Sequence, residues 1–159
     1  MCELELREAT IHDADVAVEL VTAMLHEMAA HGGRALNDEG RFWAGLRERF
    51  LDALEKDDHV FLFAVVKGGG KPAGIVEASV RSTHEVFRPA SVVHIHALYV
   101  RPRYRGEGLG RELLEQALTW GRARGCSEAT LSVLVGNPAR GLYEGAGFEA
   151  FELQMRRNL

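Results

Sequence analysis

The stretch from Val100 to Gly110 constrains this chain more than any other, because it crowds Arg103, Arg105, Gly106, Gly108 and Gly110 into one short connection. Before it, residues 92–100 are mostly β-branched, aromatic or apolar, as a strand entering a core requires. After it, Gly110, Leu113, Leu114, Ala117, Leu118 and Gly121 recur on one face at helical spacing. The chain must therefore pass from the end of a core strand, through glycines, into a new helix. Glycines let the backbone approach a ligand closely, and a helix start offers unpaired N–H groups and the positive end of its dipole. Arg103, Arg105 and Arg111 add full positive charge. A pyrophosphate answers this description.

Two better-known glycine turns are excluded. A P-loop needs a lysine followed by Ser or Thr, and no lysine lies in this turn. A dinucleotide turn is ordered G-x-G-x-x-G with an acidic residue on a second strand, whereas the order here is Arg105-x-x-Gly108-x-Gly110. That order, after a strand ending in Leu98, Tyr99 and Val100 with Pro102 beyond, resembles the acetyl-coenzyme A loop of the GCN5-related N-acetyltransferases, the GNAT superfamily. A second stretch is similar to the other signature of that family: Asn137 and Ala139 at a helix start, Tyr143, then Gly147 and Phe148. The resemblance extends to the order of elements from residue 4 onward.

The resemblance implies an acetyl-CoA-dependent N-acetyltransferase, with acetyl-CoA as cosubstrate and direct transfer to the primary amine of an unidentified small-molecule or peptide acceptor. An alternative is an acyl-CoA-binding regulatory module without turnover. The cofactor contacts it implies are Leu98, Tyr99 and Val100 on the strand, Arg105, Gly106, Glu107, Gly108, Leu109, Gly110 and Arg111 in the turn and helix start, and Asn137 and Tyr143 downstream. Members of the family often pair through edge strands or the closing strand, which implies a homodimer.

At 159 residues the chain is one domain, 1–159, long enough to bury a core. A 47% hydrophobic and 26% charged composition is that of an ordinary folded chain. No apolar run is long enough to cross a bilayer, and the charged N-terminus lacks a secretory pattern, so a cytoplasmic protein is expected. Cys2 and Cys126 have no metal-ligand spacing and read as thiols. The formal net charge of −4 argues against nucleic acid as a partner.

The patterning predicts a strand at Leu4 and Leu6, a helix from about Asp13 with a stripe from Val16 to Met28, and a stop at Gly32 and Gly33. A second helix carries Phe42, Trp43, Leu46, Phe50, Leu51 and Leu54. Strands follow at 60–66 and 73–80, joined by the glycine-rich turn 67–72, and then comes the strand at 92–100. A helix over 108–124, a strand over 128–135, a helix capped by Asn137 with Pro138 at its first position, and a closing strand over 148–157 complete the order. The fold class is α/β: a mixed sheet with an antiparallel N-terminal half, parallel strands splayed at the cofactor cleft, and about four helices.

Acetyl transfer requires that the amine lose a proton, that the oxyanion find donors and that the thiolate gain a proton. His94 and His96 share a strand face and are candidate bases. Their spacing resembles the arylalkylamine N-acetyltransferase branch; many other members have a glutamate hereabouts, and Glu77 on the neighbouring strand is the candidate to fill that role. The family pattern implies that Tyr143 is the acid. Backbone N–H groups near Leu98 and Tyr99 are the oxyanion donors expected. His-x-His also suits a metal, but no third ligand is evident and no metal site is expected. His12, His26, His31, His59 and His84 read as surface or structural residues.

Overall fold

The computed structural model describes residues 3–37 and 41–159. Cys2 and part of the expected link between the first two helices lie outside the described residues. The chain opens with β1 (Leu4–Glu8), then a one-turn 3-10 segment and α1 (Ala14–Ala30). Asp13 fixes this junction. Its carboxylate accepts from Arg7 on β1 at 2.8 Å through each oxygen and from the backbone N–H of Thr10 at 2.7 Å. The Arg7 guanidinium is the first cause that holds the Asp13 carboxyl down at about 2, against the desolvation that opposes it.

The helix expected from Phe42 to Leu54 is divided into α2 (Arg41–Ala44) and α3 (Leu46–Leu54), with Gly45 between them. Glycine weakens a helix interior because it loses most backbone freedom there. β2 (His59–Val66), β3 (Gly74–Ser82) and β4 (Ser91–Val100) then form an antiparallel meander. α4 (Leu109–Ala123) crosses over to β5 (Ala129–Leu131), and α5 (Arg140–Gly145) follows. The sheet order is β1-β2-β3-β4-β5, with only β4 and β5 parallel.

The two faces of the sheet carry separate cores. On one, Val60, Leu62, Val76, Val93 and Ile95 meet Leu113, Leu114 and Ala117 of α4. On the other, Phe61, Phe63, Ile75 and Tyr99 meet Ala14, Ala17 and Leu20 of α1 and Phe50 of α3. At Gly121 the helix touches the strand directly: a Cβ there would lie 2.6 Å from Cβ of Val93. β4 carries an extra residue against β3, since Glu77 pairs with Ala97 and Ala78 with Ile95. This bulge at His96 re-aims the strand where the site lies.

Two expected strands are corrected. β5 is only Ala129–Leu131, so residues 132–135 of the expected strand leave the sheet. The closing strand over 148–157 is not formed. A strand needs a neighbour for its N–H and C=O groups, and among the described residues this segment pairs with none; Phe151, Leu153 and Met155 stay exposed.

Candidate active site

The turn behaves as its glycines require. Gly106 and Gly108 both have φ of +85°, the left-handed region that side-chain-bearing residues rarely adopt. Gly108 is the N-cap of α4, so the helix starts inside the turn, and Leu109, Gly110 and Arg111 of its first turn line the concavity beside it. That concavity is a cleft of about 470 Å³. Every residue assigned to the cofactor from the sequence lines it except Glu107: Leu98, Tyr99 and Val100 from β4, Arg105 to Arg111 around the turn, and Asn137 and Tyr143 from the far wall. Oδ1 of Asn137 accepts the N–H of Ala139 at 2.9 Å in the turn ahead of α5, but the helix begins at Arg140 with Ala139 at its N-cap, so the expected start at Pro138 under an Asn137 cap is corrected.

The fourth wall was not foreseen. Met24, Glu27, Met28 and His31, from the end of α1 and its cap, also line the cleft. Arg105 joins this wall to the turn. Its Nη2 donates to both carboxylate oxygens of Glu27, at 3.1 and 2.8 Å, and its Nε donates to the Val100 carbonyl at 2.7 Å. The Arg105 charge is thus already shared with a carboxylate. It straps α1 to the end of β4 as well as lining the cleft.

Tyr143 packs against Phe148, with ring centroids 6.1 Å apart. Burial raises its phenol above the ordinary value of 10, so the hydroxyl keeps its proton at neutral pH.

On the α1/α3 face of the sheet lies a polar cluster. The His94 and His96 rings meet edge to face at 4.9 Å, and His96 stacks on His59 at 5.4 Å. His59 Nε2 donates to Oε1 of Glu77 at 2.9 Å. His94 Nδ1 lies 2.9 Å from the Thr130 hydroxyl. His96 is held at both nitrogens: Nη2 of Arg81 lies 3.2 Å from Nδ1, and Oγ of Ser79 lies 2.7 Å from Nε2. A guanidinium only donates, so Nδ1 accepts and Nε2 carries the hydrogen, which it donates to Ser79. Desolvation pulls the His96 imidazole down to about 4, with Arg81 adding to the fall and Glu77 opposing it. His94 is lowered by the same burial and by Arg81. Both are neutral imidazoles at pH 7.

His59, read from sequence as surface or structural, belongs to this cluster, as do Ser79 and Arg81. The available signal was the alternation Glu77, Ser79, Arg81 beside His94 and His96, which marks a polar patch on one sheet face. Among the described residues no group of His, Cys, Asp and Glu is arranged to hold a metal.

A sheet whose β4 and β5 are parallel, with a glycine turn opening α4 beside their ends, defines an α/β domain with a ligand-sized cleft at its strand ends. The sequence model of the acetyltransferase (GNAT) family matches residues 22–148, and the chain belongs to that family. An uncharacterized N-acetyltransferase of Methanocaldococcus jannaschii is 33% identical over 112 residues, covering 70% of this chain and 47% of that protein. Glucosamine 6-phosphate N-acetyltransferase of Trypanosoma brucei brucei is 38% identical over 69 residues, covering 43% of this chain and 46% of the relative. The chain thus matches about half the length of these curated relatives. Among solved structures, an aminoglycoside N-acetyltransferase in complex with CoA superposes with a TM-score of 0.79 at 17% identity, over 100% of this chain and 96% of that one.

Proposed function

We propose that this protein binds acetyl-CoA in the cleft between β4, the turn 105–110 and α5, and transfers its acetyl group to a primary amine. The observation that carries the reading is convergence. Residues from β4, from the turn and from the segment 137–143, chosen by their resemblance to two family signatures, line a single cleft of about 470 Å³. The pyrophosphate sits on the turn, where Gly106 and Gly108 bring backbone close and α4 presents its N–H groups. The pantetheine arm runs toward Leu98, and Asn137 closes over it.

In the transfer, the neutral amine nitrogen forms a bond to the thioester carbon. Backbone N–H groups at Leu98 and Tyr99 stabilise the oxyanion. As the C–S bond breaks, the thiolate takes the Tyr143 phenolic proton, and the proton from the amine leaves through the cluster of His94, His96 and Glu77. The lone pair of His96 faces Arg81, which makes it a poor first acceptor. The Glu77 carboxylate, held by His59, is the better one, with His94 and His96 orienting the site around it.

Calorimetry with acetyl-CoA and thiol release with an amine panel test this reading. Binding together with amine-dependent thiol release is the expected result. Binding with no turnover on any amine would leave a binding module, and no binding would overturn the reading entirely.

A homodimer goes with this proposal. Phe151, Leu153 and Met155 alternate with polar residues and are exposed, β5 is an edge strand of the sheet, and a second copy would cover them. Light scattering that finds only monomer at micromolar concentration would count against it. No described helix is long and apolar enough to cross a membrane, and a cytoplasmic setting is proposed with the activity.

A further inference from the structure

A second concavity, of about 260 Å³, lies on the α1/α3 face of the sheet. It adjoins the cofactor cleft at two points. Met24 lines both, and the consecutive β4 residues Ala97 and Leu98 line one each. Its walls are aliphatic and aromatic: Val18, Val21 and Leu25 from α1, Leu46 and Phe50 from α3, and Phe61 from β2. Polar groups are few and they are placed unequally. Glu77 and His96 lie at the end beside Ala97, while the exposed Arg49 stacks over the exposed Phe42 ring at 4.4 Å on the rim.

We infer that this pocket receives the acceptor, and that the acceptor is a small, singly charged primary amine with an apolar aryl or alkyl body. The inference rests on the acetyl-transfer reading above. The nitrogen lies at Glu77, the one carboxylate among the described lining residues, next to the point where Ala97 gives way to Leu98 and the thioester would end. The body lies against Val18, Val21, Leu46, Phe50 and Phe61. A polyhydroxylated sugar does not suit these walls, because each hydroxyl would lose water and find no partner. A polycation does not suit them either, because the guanidinium of Arg49 at the rim repels a second ammonium. The volume falls below the roughly 300–1,000 Å³ usual for drug-sized ligands, which favours a compact acceptor. The ammonium first gives one proton to Glu77, which passes it to solvent; the neutral nitrogen then forms the N–C bond as the C–S bond breaks, its second proton leaves by the same route, and the thiolate takes the proton of Tyr143, which solvent restores.

The test compares kcat/KM for a series of n-alkylamines and for 2-phenylethylamine with that for glucosamine 6-phosphate and an aminoglycoside. Burying each added methylene should raise kcat/KM about fourfold until the pocket is filled. Leu46→Lys should lower kcat/KM for hexylamine at least about tenfold while calorimetric acetyl-CoA affinity is unchanged, which also shows that the variant folds. If Leu46→Lys does not fold, the near-isosteric Val18→Thr should give a smaller loss of the same kind. Faster turnover of the sugar phosphate or the aminoglycoside than of any apolar amine, or a flat alkylamine series, would overturn the inference and leave acetyl transfer standing. Failure to bind acetyl-CoA, or binding with no turnover of any amine, would overturn the transfer reading with it.

Discussion

Arg81 and His96 sit on neighbouring strands with Nη2 of the guanidinium 3.2 Å from Nδ1 of the imidazole, so the only lone pair of the ring faces a fixed positive charge. Ser79 holds the other nitrogen at 2.7 Å. A half-buried histidine so arranged resists protonation, and the consequence is measurable in both stability and activity.

Above pH 6.5 His96 is neutral in folded and unfolded chains alike, and its site is at full strength. As pH falls from 6.5 to about 4 the unfolded chain takes up the proton and the folded one does not, so stability declines across that window. His94, lowered by burial, acts with the same sign. After allowance for solvent screening of a partly exposed group, the loss for His96 should be about 1–2 kcal/mol. Urea midpoints at pH 7 and pH 4.5 would read it, and His96→Gln should flatten the difference. If a histidine ionisation controls turnover, the acidic limb of kcat/KM should lie well below 6.5. An unchanged limb in the His94→Gln, His96→Gln double variant would assign it to Glu77 instead.

Tyr143→Phe removes one hydroxyl and keeps the ring that packs on Phe148. Turnover should fall by about 10²- to 10⁴-fold, with calorimetric acetyl-CoA affinity little altered, if the phenol protonates the thiolate. Turnover within a factor of two of the parent would remove Tyr143 from the chemistry.

Gly108→Val places a β-branched residue at φ +85°, where only glycine is at ease, and puts a side chain in the cleft where the proposed pyrophosphate would meet the backbone. Acetyl-CoA affinity should fall at least about tenfold, consistent with the loss of one or two charge-assisted hydrogen bonds. Equal affinity in the two proteins would dissociate the turn from the pyrophosphate.

Gly121→Ala would gain about 1 kcal/mol of helix propensity. It would also set a Cβ 2.6 Å from Cβ of Val93, and overpacking of this kind costs about 1–3 kcal/mol. The closest atom is the Cβ itself, so trimming Val93 to alanine should not rescue the variant. Thermal or urea denaturation of the single and double variants would check both statements.

Much of the fold was legible because local patterns and tertiary packing agree. The stripe Ala17, Leu20, Met24 gave α1, the run 60–66 gave β2, and Leu113, Leu114, Ala117 and Leu118 gave α4. The disagreements lie where strands must find partners. Residues 132–135 and 148–157 have the composition of strands, but composition supplies only half of a ladder. The other half is a neighbour at the right distance, and the described residues provide none.

The sequence alone determined the glycine turn, because Gly106 and Gly108 act through backbone conformation and through the helix that follows them, and both are local properties. It also determined that His94 and His96 share a face, since the strand repeat fixes that over three residues. Tertiary structure alone decided what surrounds them. Arg81 and Ser79 reach His96 only by the pairing of β3 with β4, His59 reaches Glu77 only by that of β2 with β3, and Glu27 meets Arg105 only because α1 packs beside the end of β4. These contacts join residues up to 78 positions apart, and they set which groups hold a proton and which walls meet at the cleft.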